Sequence, residues 1–187
     1  MEQGFSGART KEIAERAGVT EAFLYRHFES KEDMYAVAIL DPVREGIGAL
    51  ATDVELIYER YQDPLEFLEA LNRRCISFYM EYAPLQTVAL YSELANGREF
   101  FAESLRPALD RIGEMISDRV GWAARGLDST IVRRAILGSH WAIGLDYIYR
   151  DSEVNVESVA HRLTQLFTAG IIEKKRLPAE KRTGPAG

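Results

Sequence analysis

The sequence is short of the residues that most often carry catalysis or metal binding. Its 187 residues include one cysteine, Cys75, and three histidines, His27, His140 and His161. A single cysteine excludes an intrachain disulfide and a zinc site built from several thiolates, so Cys75 is expected to be a small buried hydrophobic residue. The histidines lack the spacings of metal-binding helices, and there is no glycine-rich phosphate loop. Cys75 and His140 could act as nucleophile and base, but they do not belong to any catalytic sequence motif. The sequence therefore predicts no enzyme, cofactor or metal site.

Long apolar runs and positive charge are also scarce. No stretch reaches the roughly 18 consecutive apolar residues of a membrane span, and the N-terminus lacks the layout of a secretory signal, which together predict a cytoplasmic protein. The net charge of -6 excludes general coating of nucleic acid, because such binding depends on an excess of cations. Any DNA contact must therefore be local. Residues 1–40 themselves carry five basic and seven acidic side chains, a net of -2.

What the sequence does have is helical periodicity. Apolar positions recur at helical spacing along most of the chain and no segment alternates as a strand would, so the predicted fold class is all-α. With 47% hydrophobic residues, the chain can bury a sizeable core in one domain, or in one domain with a small appendage. Prolines and capping residues predict helix starts at Asp41–Pro42, Asp63–Pro64, Ala83–Pro84 and Asp128–Ser129.

Residues 10–28, TKEIAERAGVTEAFLYRHF, form two short helical patterns on either side of a glycine. The predicted apolar face of the first helix consists of Ile13, Ala14 and Ala17. Gly18 can adopt the left-handed conformation that ends this helix. Thr20 then caps the second helix, on which Leu24 and Phe28 lie four residues apart on an inward face. Two helices joined by a tight turn, the second edged with hydrogen-bonding groups, have the shape that fits a DNA major groove.

The longer stretch TKEIAERAGVTEAFLYRHFESKEDMY resembles the helix-turn-helix signature of the TetR family of transcriptional regulators, through its IA-x-x-AGV, LY-x-x-F and S-K-E elements. The resemblance implies a homodimer that binds a near-palindromic double-stranded operator, commonly as a repressor, and is released by a small-molecule effector. In the family a further helix precedes this unit and ends in a pattern like E-x-G-F, which Glu2, Gly4 and Phe5 match. We therefore expect that residues upstream of Met1 exist.

The resemblance also implies roles for individual side chains near the N-terminus. Phosphate contacts are expected from Thr10, Tyr25, His27 and Lys31. Contacts with base edges or the nearby backbone are expected from Thr20, Glu21, Ala22, Phe23 and Arg26. Arg26 can pair with guanine O6 and N7, and Ala22 can meet a thymine methyl group. Phe23 departs from the small or hydroxyl residue usual at its position, so apolar contact would replace hydrogen bonding there.

The segment AILGSHWAIGLDYIY, residues 135–149, predicts a protein interface. Its strongly polar residues are Ser139, His140 and Asp146, and a helix that is apolar all round must be covered all round. The next helix repeats apolar residues at helical spacing: Val159, Leu163, Leu166, Phe167 and Ile171. These two helices predict a four-helix dimer interface with two helices from each subunit. The alternative is a monomeric bundle with residues 135–149 at its centre.

The middle of the chain is interpreted as the effector-binding part. Apolar and aromatic side chains at helical spacing suit an apolar or aromatic small molecule, although such a stripe is more often plain core. The predicted lining residues are Leu71, Cys75, Phe78, Tyr82, Tyr91, Phe100, Ile112, Met115 and Trp141.

These predictions divide the chain into three parts. Residues 1–40 form a helix-turn-helix DNA-binding domain, incomplete at its N-terminus. Residues 41–176 form a helical effector-binding and dimerisation domain, and residues 177–187, rich in polar residues, Pro and Gly, form a disordered tail. The alternative function is a helical small-molecule-binding or protein-interaction module without DNA binding, which the acidic excess of residues 1–40 favours.

Overall fold

A computed structural model describes residues 4–92, 94–121, 128–150, 153 and 155–172. The regular structure of these residues is helical, which confirms the predicted all-α class. The predicted tail, residues 177–187, lies outside them. No helix in these ranges is both long enough and apolar enough to cross a membrane. The helices are α1 (Gly4–Gly7), α2 (Thr10–Ala17), α3 (Glu21–His27), α4 (Lys31–Tyr35), α5 (Asp41–Arg60), α6 (Pro64–Tyr91), α7 (Leu94–Phe100), α8 (Arg106–Val120), α9 (Ser129–Arg150) and α10 (Val156–Ile172).

Two of the four predicted helix breaks were wrong, because the helical backbone continues through both prolines. Before Pro42, the π-helical turn Ala36–Leu40 joins α4 to α5, and the Asp41 N–H bonds to the Ala36 carbonyl. This wider turn spaces the hydrogen bonds five residues apart, so a proline that lacks an N–H is accommodated. The predicted domain boundary between residues 40 and 41 falls in this continuous stretch and stays a prediction.

Pro84 lies inside α6, which was predicted to break there. Its ring removes the N–H that would bond to the carbonyl four residues earlier, which weakens the helix at this point. The helix continues because it packs against α5, α9 and α10 along its length. Tertiary packing therefore overrides the local signal. A second π-helical turn, Phe101–Leu105, joins α7 to α8.

The core of the body lies around α6. Phe67, Leu71 and Phe78 on this helix are fully buried in one hydrophobic cluster with residues of α5, α8 and α9. Helix α9 approaches α6 closely at Gly144, where an added Cβ would lie 2.7 Å from the Tyr79 Cβ. Only a glycine allows this approach without displacement of α6.

A buried line of polar side chains also joins α6, α9 and α10. The Thr164 hydroxyl donates to the Ala160 carbonyl at 3.0 Å and accepts from Asn72 Nδ2 at 2.8 Å. The Asn72 carbonyl oxygen therefore faces His140 Nε2, 2.7 Å away, and accepts a hydrogen bond from it. Burial lowers the pKa of His140 to about 3, so the ring is neutral and Nε2 carries the hydrogen.

Candidate nucleic-acid interface and effector cavity

The turn between α2 and α3 has the geometry that the sequence predicts. Gly18 has a φ of 70°, and its N–H bonds to the carbonyls of Ala14 and Glu15. Thr20 caps α3, since its hydroxyl oxygen accepts from the Phe23 N–H at 3.2 Å. The tight turn and the cap together fix where α3 begins and how it leaves α2.

A small core holds this unit together. Ala14, Leu24 and Met34 are buried in it, and Phe28 packs against them. Of the predicted apolar face on α2, only Ala14 is buried; Ile13 and Ala17 are exposed because neighbouring elements in the described residues do not cover that side. Leu24 is the buried residue of α3, so the remaining side chains of this helix point outward.

The predicted DNA-binding residues form one exposed edge. Phe23 and Tyr25 are 45% and 47% exposed, and the rings of Phe23 and His27 lie 4.7 Å apart. Thr10 and Lys31 are half-buried, and the Lys31 ammonium lies 4.4 Å from the centre of the Phe5 ring. The other exposed members are Thr20, Glu21, Ala22, Arg26 and His27. Their individual DNA contacts stay predictions.

Hydrogen bonds connect three of these residues across the two helices. The Thr10 hydroxyl donates to the Glu21 carboxylate, and the Tyr25 hydroxyl donates to the Thr10 oxygen at 3.4 Å. The Thr10 hydroxyl, to which the resemblance assigns a DNA phosphate contact, thus donates to the Glu21 carboxylate instead. A phosphate at this edge would compete with that carboxylate for Thr10.

One contact ties the helix-turn-helix to the end of α6. The Tyr35 hydroxyl donates to the Val88 carbonyl at 3.2 Å and therefore accepts from the Ser92 hydroxyl, 3.0 Å away. The Phe5 ring packs against the Tyr35 ring with 4.9 Å between centres. The end of α6 after Pro84 therefore carries the contact that positions α4.

The same end of α6 forms a wall of a second feature, a cavity of about 680 Å³ that we call the body cavity. Its floor includes the buried side chains of Tyr79, Gln86, Leu105 and Leu137. Four arginines and one acid that also line the cavity are exposed or half-buried, and they mark its mouth: Arg98, Arg106, Arg133, Arg134 and Asp110. An apolar floor beneath a cationic mouth suits a ligand with an apolar body and an anionic end.

The structure brings two of the predicted effector-binding residues, Tyr91 and Trp141, to the wall of the body cavity. Tyr82 stacks on Phe78 with 5.1 Å between ring centres, and Met115 packs on the core cluster. The other predicted residues are buried in that cluster: Leu71, Cys75, Phe78, Phe100 and Ile112. The role of the nine in effector binding stays a prediction. Burial raises the pKa of the Cys75 thiol to about 12, and His140 Nε2 faces Asn72 rather than this sulfur.

Gln86 and the arginines at the cavity mouth were not predicted from the sequence. Gln86 lies seven residues after Tyr79 and eleven after Cys75, so it continues the inward face of α6. A polar residue at such an inward position could have identified Gln86 from the sequence as a candidate binding residue. The arginines come from α7, α8 and α9, and no local pattern brings them together.

Fold and site together define an all-helical protein with an N-terminal helix-turn-helix and a helical body that contains a cavity. Residues 1–38 match the family model described as bacterial regulatory proteins, tetR family. This match agrees with the resemblance of the N-terminal unit to the TetR family.

The chain is also similar to one curated protein and to solved structures with the same fold. The HTH-type transcriptional repressor BepR of Brucella suis is 26% identical over 142 residues, which are 76% of this chain and 65% of BepR. The structure of FadR from Bacillus subtilis in complex with stearoyl-CoA aligns with a TM-score of 0.65 at 20% identity, over 91% of this chain and 92% of FadR. AibR in complex with isovaleryl coenzyme A and operator DNA aligns with a TM-score of 0.60 at 20% identity, over 88% and 89% of the two chains.

Proposed function

We propose that the protein is a ligand-responsive transcriptional regulator that binds a near-palindromic operator as a homodimer, acts as a repressor, and leaves the DNA when an effector binds. The observation that carries the proposal is α3 itself, a capped helix with one buried side chain, Leu24, and an exposed edge of hydrogen-bonding and aromatic groups. A helix held in this way can enter a major groove. The repressor BepR supports the direction of regulation.

Exposed apolar side chains on α9 and α10 support the homodimer. Ile131 and Tyr149 on α9 and Leu166 on α10 are each at least 60% exposed, whereas Ile136 and His140 on α9 are fully buried in the body. The apolar side of α9 that faces away from the body thus needs a partner. The same two helices of a second copy can be that partner, because the interface is then self-complementary. Such a dimer also places two copies of α3 on one DNA site.

The body cavity supports an acyl thioester of coenzyme A as the effector. FadR and AibR, which share the fold, were solved with stearoyl-CoA and isovaleryl coenzyme A. In this chain the apolar floor of the cavity suits an acyl chain, and the four arginines at its mouth suit phosphate groups. The sequence alone suggested a small apolar or aromatic ligand, and an acyl thioester is the more specific class that we propose.

The end of α6 provides a path for release from DNA. Gln86, Leu90 and Tyr91 line the body cavity, and the carbonyl of Val88, between them, accepts from Tyr35. A ligand that shifts this segment relative to the rest of α6, at the weak point Pro84, would therefore reorient α4 and α3. Effector and DNA then favour different positions of one element, which is sufficient for allosteric coupling.

An electrophoretic shift with DNA upstream of the protein's own gene tests the proposal. We expect a saturable shift that weakens steeply with salt, because phosphate contacts release counterions. Lys31→Ala should reduce the slope of log affinity against log salt by about one per protomer. Arg60→Ala, which removes a positive charge from the exposed end of α5, is the control and should leave the slope unchanged.

An absence of any shift, together with binding of acyl-CoA, would instead support the alternative of a ligand-binding module without DNA binding. A shift with the same salt slope in the Lys31→Ala protein would remove this residue from the DNA surface.

Tyr35→Phe should uncouple the effector from DNA. The variant keeps the ring that packs on Phe5 and loses the hydroxyl bonds to Val88 and Ser92. We expect operator affinity without effector to change by less than about threefold, and effector-driven release to weaken about tenfold, since coupling energies are of the order of 1 to 3 kcal/mol. Fluorescence anisotropy of labelled operator with and without octanoyl-CoA measures both.

Tyr61→Phe, which removes a hydroxyl from the connection between α5 and α6, is the matched control. Full release by octanoyl-CoA in the Tyr35→Phe protein would show that this contact does not transmit the signal.

A further inference from the structure

Gln86 is the polar anomaly of the body cavity. Its side chain is 0% exposed, it lies on the cavity floor, and neither its amide nitrogen nor its amide oxygen has a hydrogen-bond partner among the described residues. A buried amide without partners is destabilising compared with an apolar side chain of the same size. Stability therefore does not explain a glutamine here.

Asn72 provides a direct comparison on the same helix. It is also 0% exposed, yet its amide nitrogen donates to Thr164 and its oxygen accepts from His140. Helix α6 thus buries two amides of different kinds. One is satisfied by neighbouring helices, and the other has both hydrogen-bonding atoms available beside a cavity.

The surroundings of Gln86 limit what its partner can be. The other floor residues are the aliphatic Leu105 and Leu137 and the aromatic Tyr79, whereas the arginines lie at the mouth. A ligand whose charged end remains at the mouth therefore places its uncharged part beside Gln86. A group that accepts a hydrogen bond without carrying a charge, such as a carbonyl, matches the amide at the lowest desolvation cost.

We propose that Gln86 is a specificity-determining residue whose Nε2 donates to a carbonyl group in the buried part of the effector. This inference rests on the proposed function and deepens it, since it makes the protein a sensor of acyl groups rather than of alkyl chains. The cavity then rejects a ligand without the carbonyl, because binding it would leave the Gln86 amide unpaired within an occupied cavity.

A matched pair of ligands isolates this contact. Octanoyl-CoA and its thioether analogue S-octyl-CoA differ in whether a carbonyl or a methylene follows the sulfur. By isothermal titration calorimetry, the wild-type protein should prefer octanoyl-CoA by about tenfold, equivalent to 1.4 kcal/mol. Gln86→Met, which is close in volume and shape, should bind the two ligands with equal affinity. Leu50→Met, at a buried core position on α5 outside the cavity lining, is the control and should retain the preference.

A stability measurement separates this role from a structural one. Without ligand, Gln86→Met should raise the Tm by about 2 to 4 °C, because it removes the unpaired amide. Gln86→Asn, which keeps an amide but withdraws it by one methylene, should retain part of the preference for the acyl ligand. A folded Asn variant thus preserves the test if the Met variant fails to fold.

The outcomes distinguish the inference from the proposed function. Equal binding of both ligands by the wild-type protein would overturn the role of Gln86 and leave an acyl-CoA-responsive regulator intact. Binding of neither ligand would overturn the acyl-CoA effector and the inference together. A preference that persists in Gln86→Met would assign carbonyl recognition to another residue.

Discussion

Leu166→Glu should convert the protein from a dimer into a monomer and lower its affinity for operator DNA by about 100-fold or more. Leu166 lies on α10 with 64% of its surface exposed, on the face that we propose to pack against a second copy. A glutamate there would bring an unpaired carboxylate from each subunit into an apolar interface. The loss on DNA is large because linked binding of two sites gains about 100-fold to 10,000-fold over binding of one.

Sedimentation velocity and fluorescence anisotropy with labelled operator measure the two effects. Leu56→Glu is the control, since Leu56 is 58% exposed but lies on α5, outside the proposed interface. It should leave both the dimer and the DNA affinity unchanged. A Leu166→Glu protein that remains dimeric would place the interface elsewhere.

The second large effect concerns His140 and pH. Burial holds the pKa of this histidine at about 3 in the folded protein, against about 6.5 in an unfolded chain. At a pH between these two values, His140 is therefore protonated in the unfolded state and neutral in the folded state. The stability that the neutral ring provides is complete above pH 6.5 and is lost at about 1.4 kcal/mol per pH unit as the pH falls towards 3.

Denaturant unfolding at pH 7 and pH 5 tests this expectation. The wild-type protein should lose about 2 kcal/mol over this range from His140, in addition to the contribution of other groups. In His140→Gln, an amide can donate to Asn72 in place of the ring. This variant should therefore lack the part of the pH dependence of stability that comes from His140. His161→Gln is the control, because His161 is exposed on α10. Equal pH dependence in all three proteins would contradict a neutral buried His140.

The helix-turn-helix was the part of the fold that the sequence predicted most closely. Its signals are local: Gly18 supplies the left-handed turn, and Thr20 caps α3. Each of these interactions spans a few residues, so it follows from the order of side chains. The inward position of Leu24 follows from the same helical spacing.

The prediction was less complete where distant parts of the chain meet. The break predicted at Pro84 does not occur, because packing of α6 on three other helices outweighs one lost hydrogen bond. The predicted effector stripe through Leu71 and Phe78 lies in the core, since helical spacing identifies an inward face but not whether a cavity lies beside it. The arginines of the cavity mouth are separated by up to 36 positions, from Arg98 to Arg134.

In the proposed complex, two copies of α3, one from each subunit, read DNA together. Hydroxyl-radical footprinting on DNA upstream of the protein's own gene detects this arrangement. We expect two protected half-sites whose centres lie about 34 to 36 Å apart, or a multiple of that spacing. Arg26→Ala should weaken protection of both half-sites by about 1 to 3 kcal/mol each. A single protected site, or a footprint that Arg26→Ala leaves unchanged, would contradict the account.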